Sequence, residues 1–134
     1  MRDGRTRKLA GTVKASDFHE FTAHNVASLV VIAGQDVGLE LALARERVLV
    51  GRGPGVDYAF ADPAMSRQHA AIEYARQGFR VQDLGSTNGI LVNGKRVKAS
   101  DLRRGDRVQV GASTLQLVIE EREPAAEVFE LSST

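Results

Sequence analysis

The chain has 134 residues, of which 43% are hydrophobic, so it is long enough to form one domain with a substantial core. Its formal net charge is +1 at pH 7, and no apolar run approaches the roughly 20 residues of a membrane-spanning helix, which argues against general binding to nucleic acids or membranes. It contains no cysteine, which excludes disulfide bonds and thiolate metal sites and agrees with a reducing cytoplasm, where we expect the protein to be located.

The first segment, residues 1–27, is polar and of mixed charge, and we expect it to be a largely flexible tail. Four basic side chains lie close to its start, at Arg2, Arg5, Arg7 and Lys8. Near its end, Phe18 and Phe21 are three residues apart, so they would share one face of a helix of one or two turns.

The middle of the chain, residues 28–120, repeats apolar side chains with period two, which predicts half-buried β-strands. The alternation is clearest around five apolar residues: Leu41, Ile72, Val81, Val108 and Leu117. Turns that contain glycine separate these short stretches, and no long amphipathic helical pattern interrupts them. We therefore predict an all-β domain, a sandwich built from many short strands.

The last segment, residues 121–134, is rich in glutamate and ends in Leu-Ser-Ser-Thr. A turn of helix would be able to begin after Pro124, because proline is favoured at the first position of a helix. We expect the segment to be an acidic C-terminal tail outside the sandwich.

Three groups of polar residues lie where strands are expected to end. Because the loops of a sandwich cluster at its two ends, residues in such positions are candidates for a binding site. The first group is Gly51-Arg52, at the end of an apolar stretch. The planar guanidinium group of Arg52 would suit bidentate binding of a phosphate, although an ordinary surface charge explains this arginine equally well when it is taken alone.

The second group is Ser66-Arg67-Gln68-His69. A serine and a histidine three residues apart suggest a nucleophile and its base, but no carboxylate is positioned in the sequence to orient the histidine. Because His69 begins an apolar alternation, we interpret it as a structural residue that bonds to the backbone.

The third group, Gly85-Ser86-Thr87-Asn88-Gly89, joins two predicted strands. Asn-Gly is a strong turn dipeptide, so a tight turn is the simplest interpretation. A turn does not require two adjacent hydroxyl groups, however, and hydroxyl and amide groups on a fixed loop are good donors to phosphate and carbonyl oxygens. Together the three groups suit the holding of a phosphoryl group rather than its transfer, and we expect no cofactor, no metal and no catalytic residue.

The order and spacing of these groups resemble the forkhead-associated (FHA) domain family over roughly residues 28–119. The matching motifs are Gly51-Arg52, Ser66-x-x-His69, Gly85-Ser-Thr-Asn-Gly89 and Val92-Asn93-Gly94. Each motif is weak by itself, whereas the ordered combination is specific. The resemblance implies an FHA-like β-sandwich of about eleven strands, with loops at one end that bind phosphothreonine peptides.

The resemblance also implies roles for single residues. Arg52, Ser66 and Thr87 would contact the phosphate. Arg67 would add a further donor, and Asn88 would hydrogen-bond the peptide backbone. Four other residues would support the site structurally: Gly51, His69, Gly85 and Gly89.

Two positions depart from the family pattern. Ile90 stands where the family often has threonine, and because a strand is expected to begin there, we predict a change in packing without loss of binding. Ala64 stands two residues before Ser66, where the family often has a residue that helps to read the third residue after phosphothreonine. Because alanine carries no charge, Ala64 argues against a strong preference for an acidic residue at that peptide position.

The sequence thus predicts a phosphopeptide-binding module that recognises phosphothreonine in a protein partner, a Ser/Thr kinase or its substrate, and acts in kinase signalling. The alternative is a docking domain that binds partners independently of phosphate. A nucleotide-binding enzyme is disfavoured because the glycines around Arg52 lack the Gly-Lys-Ser/Thr ending of a phosphate loop. Basic residues between positions 95 and 107 suggest a nucleic-acid patch, but stacking aromatic residues are missing, so a solvated face is the preferred interpretation.

We expect a monomer, and a phosphorylated threonine of its N-terminal segment is a candidate intramolecular ligand. About 23 residues separate Thr6 from Leu29, and a flexible chain of that length spans roughly 25 Å on average. Thr12 also lies outside the predicted domain, whereas Thr22 is too close to the first strand to reach the loops. Incidental threonines in a disordered leader are the simpler interpretation.

Overall fold

The computed structural model describes residues 17–122, which form one helix and eleven strands. The helix, α1, covers residues 17–24. The strands follow in chain order: β1 (Asn25–Ala33), β2 (Glu40–Ala42), β3 (Arg47–Gly51), β4 (Tyr58–Ala59), β5 (Ala70–Ala75), β6 (Gly78–Asp83), β7 (Ile90–Val92), β8 (Lys95–Val97), β9 (Ala99–Leu102), β10 (Arg107–Val110) and β11 (Ser113–Glu121). Within this described range, no helix is long and apolar enough to cross a membrane.

The strands form two sheets that pack face to face. One sheet has six strands in the order β2-β1-β11-β10-β7-β8, and the other has five in the order β4-β3-β5-β6-β9. The pairing is antiparallel apart from β3 and β4, which run parallel. The structure therefore confirms the predicted all-β, FHA-like sandwich of about eleven strands.

The period-two pattern of the sequence becomes the two faces of each sheet. In β10, Val108 and Val110 are buried while Arg107 and Gln109 are exposed, and β6 buries Phe79 and Val81 in the same way. Because successive side chains of a strand point to opposite faces, each strand contributes one row to the core. Fully burying a valine, leucine or phenylalanine side chain contributes about 1.5–3 kcal/mol, so these rows supply most of the driving force for folding.

The folded unit begins earlier than the sequence predicted. The expected flexible tail extended to residue 27, but β1 begins at Asn25, and Asn25 pairs with Glu121 at the end of β11. Before it, α1 confirms the predicted helical turns. The physical reason is an aromatic cluster, in which the rings of Phe18 and Phe21 lie 5.4 and 5.0 Å from the ring of Tyr74, so the helix is held on the sheet.

The remainder of both predicted tails, residues 1–16 and 123–134, lies outside the described residues, and with it Thr6 and Thr12. Thr22 is described, in the last turn of α1, where its hydroxyl donates to the carbonyl of His19 (3.1 Å). Because α1 packs on Tyr74 and Phe79, close to the β5–β6 turn, Thr22 lies at the end of the sandwich opposite to the candidate site described next.

The strand register brings the three candidate groups to a common end of the sandwich. Val50 of β3 pairs with Ala70 of β5, and Ala70 pairs with Asp83 of β6. The loops that leave β3, enter β5 and leave β6 therefore start side by side. The backbone N–H of Leu84 donates to the carbonyl of His69 (2.9 Å), which continues this alignment one step beyond the strands.

Candidate phosphopeptide site

Arg52 follows the last residue of β3 and is fixed to the loop between β4 and β5. Its backbone N–H donates to the carbonyl of Ser66 (2.9 Å), and its Nε donates to the carbonyl of Met65 (2.9 Å). Among residues 17–122, no other residue hydrogen-bonds its two terminal guanidinium nitrogens, and the side chain is exposed. Arg52 therefore presents a partly immobilised fork of N–H donors at the surface.

Gly51 permits this contact because it has no side chain. A Cβ atom at Gly51 would overlap the carbonyl oxygen of Arg67, so the end of β3 is able to approach the Ser66–Arg67 backbone only with glycine in place. Arg67 itself is exposed, and its aliphatic stem lies against Gly53, whose N–H donates to the carbonyl of Arg67 (3.1 Å).

Ser66 joins the two loops that carry the hydroxyl groups. Its Oγ accepts a hydrogen bond from the backbone N–H of Thr87 (3.0 Å), so its own hydroxyl proton stays available to a ligand. Asn88 ties the same loops together from the other side, since its Nδ2 donates to the carbonyl of Ala64 (2.8 Å). These contacts place Ser66, Thr87 and Asn88 beside Arg52 on one surface.

The loop before β7 is held in shape by its own residues. Ser86 Oγ donates to a carboxylate oxygen of Asp83 and accepts from the N–H of Gly89 (2.8 Å). Gly85 and Gly89 both have φ near +75°, a conformation that residues with side chains rarely adopt. The predicted turn is therefore present, and it points the adjacent Thr87 and Asn88 outwards, where both are exposed.

His69 lies completely buried beneath these loops and uses both ring nitrogens. Nδ1 accepts from the backbone N–H of Ser66 (2.9 Å), and Nε2 lies 2.8 Å from the carbonyl oxygen of Gly89. Because Nδ1 is an acceptor, the proton resides on Nε2, which donates to Gly89. The ring thus connects the two loops and has no nitrogen left to act as a base on the hydroxyl of Ser66.

Asp62 is a supporting residue that the sequence analysis did not identify. Its carboxylate is buried, with Oδ1 accepting from the N–H of Ala64 (2.9 Å) and Oδ2 accepting from the N–H of Ala112 (2.9 Å) and the hydroxyl of Ser113 (2.7 Å). Asp62 therefore anchors the start of the Ser66 loop to the hairpin between β10 and β11. In the sequence, Asp62 is followed by Pro63, and such a pair is typical of an ordinary turn.

The same contacts change the acidity of this carboxyl group. Burial raises the pKa of Asp62, but the hydrogen bonds from Ser113, Ala64 and Ala112 outweigh it, so that the pKa lies below its ordinary value. Because the folded protein then holds the ionised form more tightly than the unfolded chain does, the stabilisation is present above about pH 4 and is lost as the pH falls through the lowered pKa.

We expect Asp62→Asn to lower the free energy of unfolding by about 2 kcal/mol at pH 7, since an amide cannot accept from all three donors and leaves one of them unsatisfied. The loss should shrink as the pH falls below about 4 and through the lowered pKa of Asp62, because the carboxyl group of the unmodified protein then becomes protonated as well. Urea unfolding at several pH values measures this. Asp101→Asn is the matched control, because the Asp101 carboxylate contacts only Arg80 among the described residues, in an exposed ion pair. An equal difference at every pH would contradict the assignment.

The two departures from the family pattern are also placed. Ile90 is the first residue of β7 and is completely buried, as expected for a packing position. Ala64 offers only its backbone to the site, through the carbonyl that accepts from Asn88 and the N–H that donates to Asp62.

Comparison with known proteins agrees with this geometry. A model of the FHA domain matches residues 48–111. The glycogen accumulation regulator GarA of Mycobacterium tuberculosis is 36% identical over 102 residues, which cover 76% of this chain and 63% of GarA, so the chain spans less than two thirds of that relative. The oxoglutarate dehydrogenase inhibitor of Corynebacterium glutamicum is 35% identical over 101 residues, which cover 75% of this chain and 71% of that protein.

The fold is shared with solved FHA domains as well. One of them, from a structural and functional analysis of phosphothreonine-dependent FHA domain interactions, superposes with a TM-score of 0.64 at 29% identity. The match covers 69% of this chain and 95% of the solved one. The shared sandwich, the ordered motifs in its loops and the identity to these relatives together show that the chain belongs to the forkhead-associated domain family.

Proposed function

We propose that this protein binds phosphothreonine in a protein partner through the loops at one end of its sandwich. The observation that carries the proposal is the hydrogen-bonded unit of Arg52, Ser66, Thr87 and Asn88, which presents a guanidinium group, hydroxyl groups and an amide on one exposed surface. A phosphate carries a charge of about −1.5 to −2 at pH 7 and three strong acceptor oxygens, which fits this set of donors.

The roles follow from the position of each group. Arg52 and Ser66 bind the phosphate oxygens, with Thr87 beside them and Arg67 at the rim. Asn88 bonds the peptide backbone. Because Asn88 is already anchored on the Ala64 carbonyl and Ser66 on the Thr87 N–H, the site is preformed, so little side-chain entropy is lost when the peptide binds.

A binding role without catalysis is favoured by the state of the candidate nucleophile. A serine is activated when a base accepts its proton, but both nitrogens of His69 are engaged with the backbone of Ser66 and Gly89. The nearby carboxylates, Asp62 and Asp83, accept hydrogen bonds from their own loops. We therefore propose a module that recognises phosphorylated partners and does not process them.

The partners that we propose are Ser/Thr kinases or their substrates. The names of two relatives, a glycogen accumulation regulator and an oxoglutarate dehydrogenase inhibitor, support a regulatory role of this kind. The monomeric state, the cytoplasmic location and an intramolecular ligand at Thr6 or Thr12 stay predictions. Binding by phosphate-independent docking is the second candidate, and it would leave the exposed hydrogen-bond donors around Arg52 without a ligand.

The deciding experiment is a degenerate phosphopeptide library in which each peptide is also presented without phosphate. We expect retention of phosphothreonine peptides and none of their unphosphorylated counterparts. Equal retention of both sets would favour the phosphate-independent docking domain instead.

We further expect the site to prefer phosphothreonine over phosphoserine. The family resemblance implies a small pocket for the threonine methyl group near Thr87 and Asn88. Burying one methyl group contributes about 0.8 kcal/mol, which is about a fourfold difference in Kd, and the stiffer rotamer of a β-branched side chain adds to it. Isothermal titration of two peptides that differ only in this residue measures the preference, and equal affinities would refute it.

A further inference from the structure

A basic hairpin returns to the candidate site beside the Thr87 loop. β7 leads away from the site and β8 leads back, since Ile90 pairs with Val97. After Val97 the chain crosses to β9 in the other sheet, and on the way the carbonyl of Lys98 accepts from the N–H of Asp83 (2.8 Å). Lys98 is thereby held at the base of the loop that carries Thr87.

A cleft of about 370 Å³ lies between the loop and this hairpin. Ser86, Thr87 and Gly89 line it on the loop side, and Arg96 and Lys98 line it on the other. Because Thr87 also bonds Ser66, the cleft adjoins the surface that is proposed to bind phosphate. A peptide residue close to the phosphothreonine would therefore be able to place its side chain in the cleft.

The loop holds the side chain of Arg96 in place. Its Nη1 donates to the carbonyl of Asn88 (3.0 Å) and lies directly over Gly89, where a Cβ atom would overlap it. Gly89 thus leaves room for the end of the Arg96 side chain, which would have to shift if this position carried a Cβ atom. The bond to Asn88 places the guanidinium group next to the residue that is proposed to hold the peptide backbone.

The side chains that line the cleft carry a net positive charge. Asp83 is the carboxylate in its lining, and its two oxygens accept from the N–H and the hydroxyl of Ser86. Within residues 17–122, neither Arg96 nor Lys98 forms a salt bridge. Two cations without a protein counter-ion therefore face a site that opens beside the phosphate-binding loop.

We infer that Arg96 and Lys98 form a subsite for an acidic side chain of the phosphopeptide, an aspartate or glutamate within about three residues of the phosphothreonine. The inference rests on the proposed function and deepens it. In this arrangement the preference for an acidic peptide residue comes from the β7–β8 hairpin, because Ala64, in the loop before Ser66, carries no charge.

The test is a glutamate walk. In a phosphothreonine peptide with glutamine at the three positions on either side, one glutamine at a time is replaced by glutamate, and Kd is measured by isothermal titration at low and high salt. We expect one position to bind about fivefold more tightly with glutamate, and the gain to fall in high salt because exposed charge pairs are screened. Lys98→Gln should reduce this Glu/Gln ratio to about twofold or less.

Lys95→Gln is the matched control. Lys95 is exposed on the same hairpin, and its substitution removes the same charge. Because Lys95 does not line the cleft, the Glu/Gln affinity ratio should stay at its original value. Arg96→Lys tests the second cation while keeping the charge, and the melting temperature of each variant shows whether the loop has been disturbed.

Each other result overturns the inference. If binding depends on phosphate but the affinity is the same wherever the glutamate stands, the protein attracts acidic peptides by its general positive charge and has no subsite. The proposed function would still stand. An equal effect of Lys95→Gln and Lys98→Gln would lead to the same conclusion. Absence of binding to any phosphopeptide would remove the proposed function, and the subsite with it.

Discussion

Replacing Arg52 with alanine is expected to weaken the binding of a phosphothreonine peptide by at least about tenfold. A hydrogen bond to a charged group contributes about 1.5–3 kcal/mol, and Arg52 offers two terminal nitrogens that no residue of the described chain occupies. Arg52→Lys should recover only part of the affinity, because an ammonium group cannot bond the Met65 carbonyl and fork around a phosphate at the same time. Isothermal titration measures both variants.

The control for this experiment is Arg104→Ala, which removes one exposed positive charge after β9, at the opposite end of the sandwich. It should leave the affinity within about twofold of the unmodified protein. Wild-type affinity of the Arg52→Ala variant, with an unchanged melting temperature, would show that the guanidinium group does not bind the phosphate.

Replacing His69 with alanine is expected to lower stability and binding together. The change empties a buried site and leaves the N–H of Ser66 and the carbonyl of Gly89 without their partner, which together cost about 3 kcal/mol. For a domain of about 100 residues, the melting temperature should fall on the order of 15 °C. Phosphopeptide affinity should fall as well, because the ring no longer connects the loops of Ser66 and Thr87.

His24→Ala is the comparison for this change, since His24 lies exposed at the end of α1 and should alter the melting temperature by a few degrees at most. If His69→Ala melted normally and yet bound no phosphopeptide, His69 would be a direct contact to the ligand, and its interpretation as a buried connection between loops would be wrong.

The strands that the sequence predicted well are those with one buried and one exposed face. In β10 and β6 the apolar residues alternate with polar ones, because one face of each strand packs in the core and the other faces water. The buried residues are Val108, Val110, Phe79 and Val81. β8 and β9 were not predicted because they are short strands at sheet edges with few buried residues, so their formation depends on pairing with β7 and β6. The local pattern of apolar and polar residues does not predict such pairing.

The N-terminal boundary of the domain also depends on a contact that the local sequence does not show. Phe18 and Phe21 predicted a short helix from their spacing, but the sequence could not show that Tyr74, more than fifty residues away, forms the surface on which they pack. A short amphipathic helix is marginal by itself, and its packing partner decides whether it belongs to the domain. The predicted tail therefore extended through residues that are folded.

The sequence by itself determined the fold class and the residue types at the candidate phosphate site. Period-two apolar rows make a sandwich because burying them is the dominant driving force, and Arg52, Ser66, Thr87 and Asn88 were recognisable because their spacing matches a specific pattern of loops. The sequence also predicted a structural role for His69, but only the tertiary structure decided which groups the supporting side chains contact. Asp62, His69 and Arg96 act through partners 20 to 51 residues away or across a hairpin, and a hydrogen bond depends on positions in space that local sequence does not record.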